Sequence, residues 1–306
     1  MNVGIIGTGN MATSLIKGFL AQGIHKVICS DVDTKRLKPL KALKNVRTTT
    51  ENISVVENSE IIFLCVKPDA VSEVLKETKK KLNSRKILVS IAAGVKTSFI
   101  QKLIGPKKKV IRTMPNLSCL VLKGVIGFKA NRHCTNKDRK AFLSLIETTG
   151  KAFELKAEKD FDYITAISGS GPAFLAEYIA AQLAYGKSKN LGEVMVKDIV
   201  LETILGAVAY LNTTKVSPEK FVKLVSSPGG TTEAGMKLLK NKRFTNIIVQ
   251  CLDSASKKSV KISDKLIMNK NGYDCYKFNF SYCKRFKLNS FSFCMANNYS
   301  SINFMV

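Results

Sequence analysis

The chain has 306 residues, too many for one small core and enough for two domains followed by a short extra piece. Its 45% hydrophobic and 24% charged residues are the proportions of an ordinary globular protein, which excludes a largely disordered chain. The net charge of +26 would attract phosphates. Yet the lysines are scattered over segments such as 79–81 and 107–109 without interleaved aromatics, so they read as a solvated surface and no nucleic-acid partner is expected.

No apolar run reaches the roughly 18 residues of a spanning helix, and the N-terminus enters a strand at once, without the pattern of a secretory leader. A cytoplasmic protein with no membrane partner is expected. The eight cysteines form no CxxC pair or other metal spacing, so no metal is expected. Cys29, Cys65, Cys119, Cys134 and Cys251 sit singly within predicted elements and read as reduced, packed thiols. The only histidines are His25 and His133, which leaves little for histidine acid–base chemistry.

From residue 2 onward, short β-branched runs alternate with amphipathic segments, the pattern of a parallel sheet with crossover helices. Strands are predicted at 2–6, 26–30, 61–66, 87–91 and 110–112, with 124–128 as a further strand at the sheet edge. Helices are predicted at 10–22, 34–43, 69–82, 97–104 and 135–149, the last opened by a Thr-Asn capping signal. After residue 156 the strand signals stop, and the chain to about 268 reads as successive helices broken at 169–172, 192, 218 and 228–230.

The expected fold is therefore α/β: a doubly wound parallel sheet of Rossmann type over residues 1–155, followed by an all-helical domain over 156–268. Residues 172–185 are apolar around most of the helix circumference, which calls for burial on more than one side. A subunit interface would supply the second side. From 269 to 306 the composition turns to Asn, Lys, Ser, Phe, Tyr and Cys without periodicity, and this tail is expected to be disordered. It reads as out-of-frame or read-through translation of AT-rich DNA, with a functional tail as the alternative.

Residues Ile6-Gly7-Thr8-Gly9-Asn10-Met11-Ala12 carry Gly-x-Gly-x-x-Ala between a strand and a helix. Gly7 permits the tight turn, Gly9 lets a pyrophosphate approach the backbone, and Ala12 lets the helix pack closely. The helix N-terminus then faces the phosphates. Asp31 ends the second strand where a carboxylate would hold the ribose 2'-hydroxyl of NAD, which favours NADH. Two alternatives stand beside that reading: Lys35 and Arg36 cradling a 2'-phosphate, and Asp31 merely capping the following turn.

Cys65-Val66-Lys67-Pro68 ends a buried strand on the ligand side of such a sheet, with Pro68 as a first-turn residue of the next helix. Ser90-Ile91-Ala92-Ala93-Gly94 repeats the arrangement with small residues that leave room for a flat nicotinamide ring. Two further Gly-rich turns lead into helices, Ser168-Gly169-Ser170-Gly171-Pro172-Ala173 and Ser226-Ser227-Pro228-Gly229-Gly230-Thr231-Thr232. Free backbone N–H groups at such starts seat a carboxylate, and the hydroxyls of Thr231 and Thr232 add donors beside it. Together they point to a small anionic substrate.

With Arg112-Thr113-Met114-Pro115-Asn116 added, these motifs occur in the order and rough spacing of pyrroline-5-carboxylate reductases, and the chain resembles that family over residues 1 to about 265. The resemblance implies a Rossmann domain followed by a helical dimerisation domain, and a homodimer that assembles into a larger ring such as a decamer. It also implies an active site completed across the dimer.

Carried over residue by residue, the resemblance assigns the cofactor, NADPH or NADH, to residues Ile6 to Met11, Cys65 to Pro68 and Ala92 to Gly94, with Asn52 on the adenosine side. Met114, Asn116, Ser168 and Ser227 would face the substrate. The amides of Gly230, Thr231 and Thr232 would hold its carboxylate, with the catalytic Thr232 hydroxyl at the ring nitrogen. The implied reaction is hydride transfer to the imine carbon of 1-pyrroline-5-carboxylate, giving proline. The chain departs from the family at Leu117, Ser118 and Cys119, where Thr-Pro-Ala is usual, at Lys215 and Lys223, where acidic residues are usual, and in a shortened 186–191 stretch. These departures touch pocket edges and charge rather than the hydride path. A 3-hydroxy acid dehydrogenase lacks its usual helix lysine here; a paralogue that binds nucleotide without turnover is the other alternative.

Overall fold

The computed structural model describes residues 1–21, 23 and 26–268, so the expectations for the 269–306 tail lie outside the described residues. Four short runs, β1 (Val3–Ile6), β2 (Val27–Ser30), β4 (Ile61–Leu64) and β5 (Ile87–Ser90), are buried at every position. Strands covered on both faces have no solvent side to alternate toward, which is why these read as continuous apolar runs. With β3 (Val46–Thr49), β6 (Lys109–Pro115), β7 (Gly124–Ala130) and β8 (Gly150–Glu154) they form one sheet in the order β3-β2-β1-β4-β5-β6-β7-β8. The first six strands run parallel, β7 runs antiparallel to β6, and β8 runs parallel to β7.

Successive residues of a strand face opposite sides, and the core divides accordingly. Val3, Ile5, Phe19, Phe63 and Phe142 pack on one face, and Ile6, Ile62, Leu64, Leu75 and Ile100 on the other. Phe19 meets Phe63 at 5.3 Å between ring centroids, and Phe128 meets Phe142 at 5.0 Å. Burying side chains of this size stabilises a fold by about 1.5–3 kcal/mol each. The two layers of helix are α1 (Asn10–Ala21), α2 (Thr34–Lys41), α3 (Asn52–Glu57), α4 (Val71–Thr78), α5 (Thr97–Ile104) and α6 (Asn136–Ile146). Helix α6 opens on a full capping box, in which Thr135 accepts from the Asp138 amide and Asp138 accepts from the Thr135 amide.

Three elements were not expected from the sequence: β3, α3 and β8. Strands β3 and β8 are polar and only partly buried because they close the two edges of the sheet, so they lack the apolar signal of the interior strands. For the same reason residues 124–128 are not the edge that was expected, since β8 lies outside them. Pro68 does not open a helix either; the Ala70 amide donates to the Lys67 carbonyl in a turn, and α4 starts at Val71.

From Asp160 to Met268 the elements are helical: α7 (Asp160–Ile164), a π-helical turn (Thr165–Gly169), α8 (Gly171–Ser188), α9 (Glu193–Thr214), α10 (Pro218–Val225), α11 (Thr231–Asn241) and α12 (Phe244–Met268). The predicted breaks at 192, 218 and 228–230 stand at the starts of α9, α10 and α11. Helix α12 ties back to the sheet-bearing part: Ser259 Oγ donates to Asp162 at 2.6 Å and Asp264 pairs with Lys96 at 3.7 Å. Within one chain the circumference of α8 is not covered, as Leu175, Tyr178 and Tyr185 are exposed.

Candidate active site

The C-terminal ends of β1 and β4 lie side by side where the strand order reverses direction, the crevice in which doubly wound sheets take ligands. Gly7 follows β1 with φ +88°, and a Cβ there would stand 2.8 Å from the Cys65 carbonyl oxygen, so only glycine fits. Its N–H donates to the Ser30 carbonyl at 2.8 Å, and the Cys65 N–H donates to Ile6 at 2.7 Å, which draws the three strand ends together. Gly9 is different. A Cβ on it would meet nothing closer than the Arg36 guanidinium at 4.0 Å. That open cradle at the N-terminus of α1 is room for a diphosphate, so the residues fit a dinucleotide.

Asp31 is buried and accepts three hydrogen bonds from its own chain. It accepts from the Thr8 N–H at 2.7 Å, from the Thr8 hydroxyl at 2.9 Å and from the Asp33 N–H at 2.9 Å. Burial works to raise its pKa, but the Asp33 and Thr8 donors, helped by Arg36, outweigh it and hold the carboxyl below its ordinary 3.8. Asn52 opens α3 beside it, accepting from the Ser30 hydroxyl at 2.7 Å and donating to Glu77 at 2.9 Å. Lys67 is exposed at the end of the β4 turn, while Val66 and Pro68 are half-buried. At the end of β5, Ala92 is buried, Ala93 is exposed, and Gly94 bends the chain with φ +76°. Ile6 ends β1, Thr8 lies in the turn, Asn10 and Met11 open α1, and Cys65 follows β4. Burial pushes the Cys65 thiol well up, so it is a packed thiol rather than a nucleophile.

The next strand brings a second group together. Asn116, buried after β6, donates to the Ser168 carbonyl at 3.0 Å and accepts from the Val125 N–H at 3.0 Å. The Met114 methyl stands 3.3 Å from the Cβ position of Gly169. Met114, Asn116 and Ser168 are thus neighbours, with the π-helical turn held against the sheet. Arg112, to which the motif reading gave no individual role, anchors the same region: it pairs with Glu158 at 2.6 Å and lies 4.1 Å over the Phe161 ring. A charged residue inside a buried strand was the signal for it.

The turn from Ser227 to Thr232 stands apart. The Gly229 N–H donates to the Glu233 carboxylate at 2.7 Å and the Gly230 N–H donates to the Ser227 carbonyl at 3.0 Å. Of the three amides expected to hold a carboxylate, Gly230 is therefore spent inside the turn. Those of Thr231 and Thr232 meet no acceptor among the described residues. Glu233 was given no individual role, although a Glu at the third position of a helix is a capping signal. A cavity of about 960 Å³ opens beside the turn, lined by Gly229, Gly230, Glu233, Phe244 and others of α11 and α12, with no residue from the C-terminal ends of the strands in its wall. Gly7 and Gly9 are not among the residues that line this cavity.

A glycine turn after β1, this strand order and a following helical part define the class of dinucleotide-binding reductases. Comparison narrows it. Residues 158–262 match the profile for pyrroline-5-carboxylate reductase dimerisation, and residues 2–94 match that for coenzyme F420-dependent NADP oxidoreductases. The chain is 34% identical over 267 residues to pyrroline-5-carboxylate reductase 2 of Bacillus subtilis, covering 86% of this chain and 95% of that one. Among solved structures it is similar to the pyrroline-5-carboxylate reductase of Coxiella burnetii, with 28% identity, a TM-score of 0.81 and coverage of 86% and 98%. It is also similar to the NADP-bound enzyme of Plasmodium falciparum, with 27% identity, a TM-score of 0.78 and the same coverage. The chain belongs to the pyrroline-5-carboxylate reductase family.

Proposed function

We propose that this chain reduces 1-pyrroline-5-carboxylate to proline with NAD(P)H. The observation that carries the reading is the start of α11, where the Thr231 and Thr232 amides are open at a helix N-terminus beside the Thr232 hydroxyl. Two N–H groups and the helix dipole seat a small carboxylate, and the hydroxyl sits one residue away for the ring nitrogen. The Ser227 carbonyl and Glu233 set the turn that presents them.

Cys65 to Pro68 and Ala92 to Gly94, at the C-terminal ends of β4 and β5, would hold a reduced nicotinamide, which would supply hydride to the imine carbon. The residues around it position rather than shuttle protons: a protonated imine already carries the electrophilic charge, so orientation dominates. Ile6, Gly7, Thr8, Gly9, Asn10 and Met11 hold the diphosphate turn, Asp31 and Asn52 flank the adenosine side, and Cys65, Val66, Lys67, Pro68, Ala92, Ala93 and Gly94 line the nicotinamide side. Met114, Asn116 and Ser168 form the substrate wall, which Ser227, Gly230, Thr231 and Thr232 complete from a second copy. Lys35 and Arg36 at the start of α2, with Arg36 beside the glycine turn, favour NADPH.

The division follows as a dinucleotide domain over 1–155 and a helical substrate and dimerisation domain over 156–268. Its exposed apolar helix faces support a homodimer, with a larger ring such as a decamer as the further assembly. No helix of the described residues is long and apolar enough to cross a membrane. A cytoplasmic setting is supported by the five described cysteines, which stand as free thiols.

Steady-state kinetics of the full chain with pyrroline-5-carboxylate and each dinucleotide tests the activity; cofactor binding without turnover would overturn it. Thr232→Ala should lower turnover by about tenfold or more, one lost charge-assisted hydrogen bond, with cofactor affinity unchanged. An unaltered rate would remove Thr232 from the site.

A further inference from the structure

We infer that Asp31 is a positioning residue that latches the Gly7–Asn10 turn, so that it supports NADPH and NADH equally instead of selecting NADH through the ribose. The inference rests on the dinucleotide site of the proposed function. A carboxylate that selects NADH must turn its free acceptor sites toward the ribose 2'-hydroxyl. Here three of the roughly four acceptor sites are filled from within the chain: Oδ2 accepts from the Thr8 N–H and the Thr8 hydroxyl, and Oδ1 accepts from the Asp33 N–H.

Burial fixes this arrangement, since Asp31 and Thr8 are only 8% and 4% exposed. An arriving hydroxyl would compete with donors that have no water to turn to, and stranding a buried N–H costs about 1–3 kcal/mol. The position of Thr8 gives the latch its purpose. It stands between Gly7 and Gly9, and with the Gly7 N–H on the Ser30 carbonyl, the end of β2 holds three donors of the turn. Asp31 thereby fixes the peptide planes that the diphosphate must meet, and the diphosphate is common to both dinucleotides.

Asp31→Glu keeps the charge and the ability to read a ribose, because either acid serves that role, but its longer arm cannot serve Thr8 and Asp33 together. Full-length protein is titrated with NADPH and with NADH separately, following cofactor fluorescence without substrate and well below the melting temperature. Asp31→Glu should raise both dissociation constants about tenfold, with their ratio changed less than about threefold. Thr8→Val, which loses the hydroxyl donor and keeps the amide, should raise both about threefold, and Thr8→Ser should recover most of that loss. The inference is overturned if Asp31→Glu leaves NADH affinity intact or weakens one dinucleotide alone. It is equally overturned if Thr8→Val changes neither. Should Asp31→Glu not fold, the Thr8 pair decides by itself. Because no turnover is read, failure of the reductase reading shows separately, as wild-type protein that binds dinucleotide and does not consume pyrroline-5-carboxylate.

Discussion

Phe63 and Phe142 in the sheet-bearing part are fully buried, whereas Leu205 and Val208 on α9 stand 61% and 60% exposed. The two parts have similar apolar content along their helices but satisfy it differently. Around the sheet, the apolar side chains of the interior strands find their partners within the chain, on one side of the strands or the other. In the helical part, α8 and α9 bury little beyond Gly186, Val196 and Val200, and α10 and α11 bury no residue. A helix apolar on several sides is a statement about an assembly, and this chain carries its family's dimerisation region on those helices.

The sharpest way to probe the contrast is in the sheet core. Phe142→Ala removes a ring packed against Phe128 and should cost about 3–5 kcal/mol, read as the shift in a chemical unfolding midpoint with an unchanged slope. A cost below 1 kcal/mol, roughly the value of an exposed site, would show that this face is not a real core. The next effect belongs to the helices. Leu205→Glu combined with Val208→Glu should raise the dimer dissociation constant about a hundredfold or more while leaving the circular dichroism of the sheet-bearing part intact. Sedimentation velocity reads it, and an unshifted assembly would mean that α9 faces solvent in the dimer as well.

The smallest effect comes with acid. Asp31 and Asp138 both lie below their ordinary 3.8, despite burial, because Thr8 and Asp33 donate to the first and Lys109 and Thr135 to the second. A folded-state value lower than the unfolded one contributes stability above 3.8 that is lost as pH falls through the lower folded values. The melting temperature should therefore drop by a few degrees on the acid side of 3.8, and Asp31→Asn with Asp138→Asn should flatten that part of the profile. A drop that survives the double substitution would place the acid sensitivity elsewhere.

Legibility followed the same division. Strands β1, β2, β4 and β5 were plain because burial on both faces demands unbroken apolar runs, and α5 was placed to the residue by its period. Edge strands β3 and β8 were hidden because half of their surface meets solvent. At the site, Gly7 and Gly9 could be read from spacing, since a tight turn and an open approach exclude other residues. The partners of Asp31 could not, because nothing in a linear pattern says which of several nearby donors reaches a carboxylate first.

The order of apolar runs and glycine turns was enough to determine the doubly wound sheet, the helical continuation and the family, because backbone conformation and burial constrain residue type locally. Tertiary structure alone decided that Thr8 and Asp33 donate to Asp31, that Asn116 joins Ser168, and that the Gly229–Gly230 turn borders a cavity walled by α11 and α12. Those outcomes depend on side-chain directions and on competition among donors and acceptors distant in sequence, which exist only once the chain has packed.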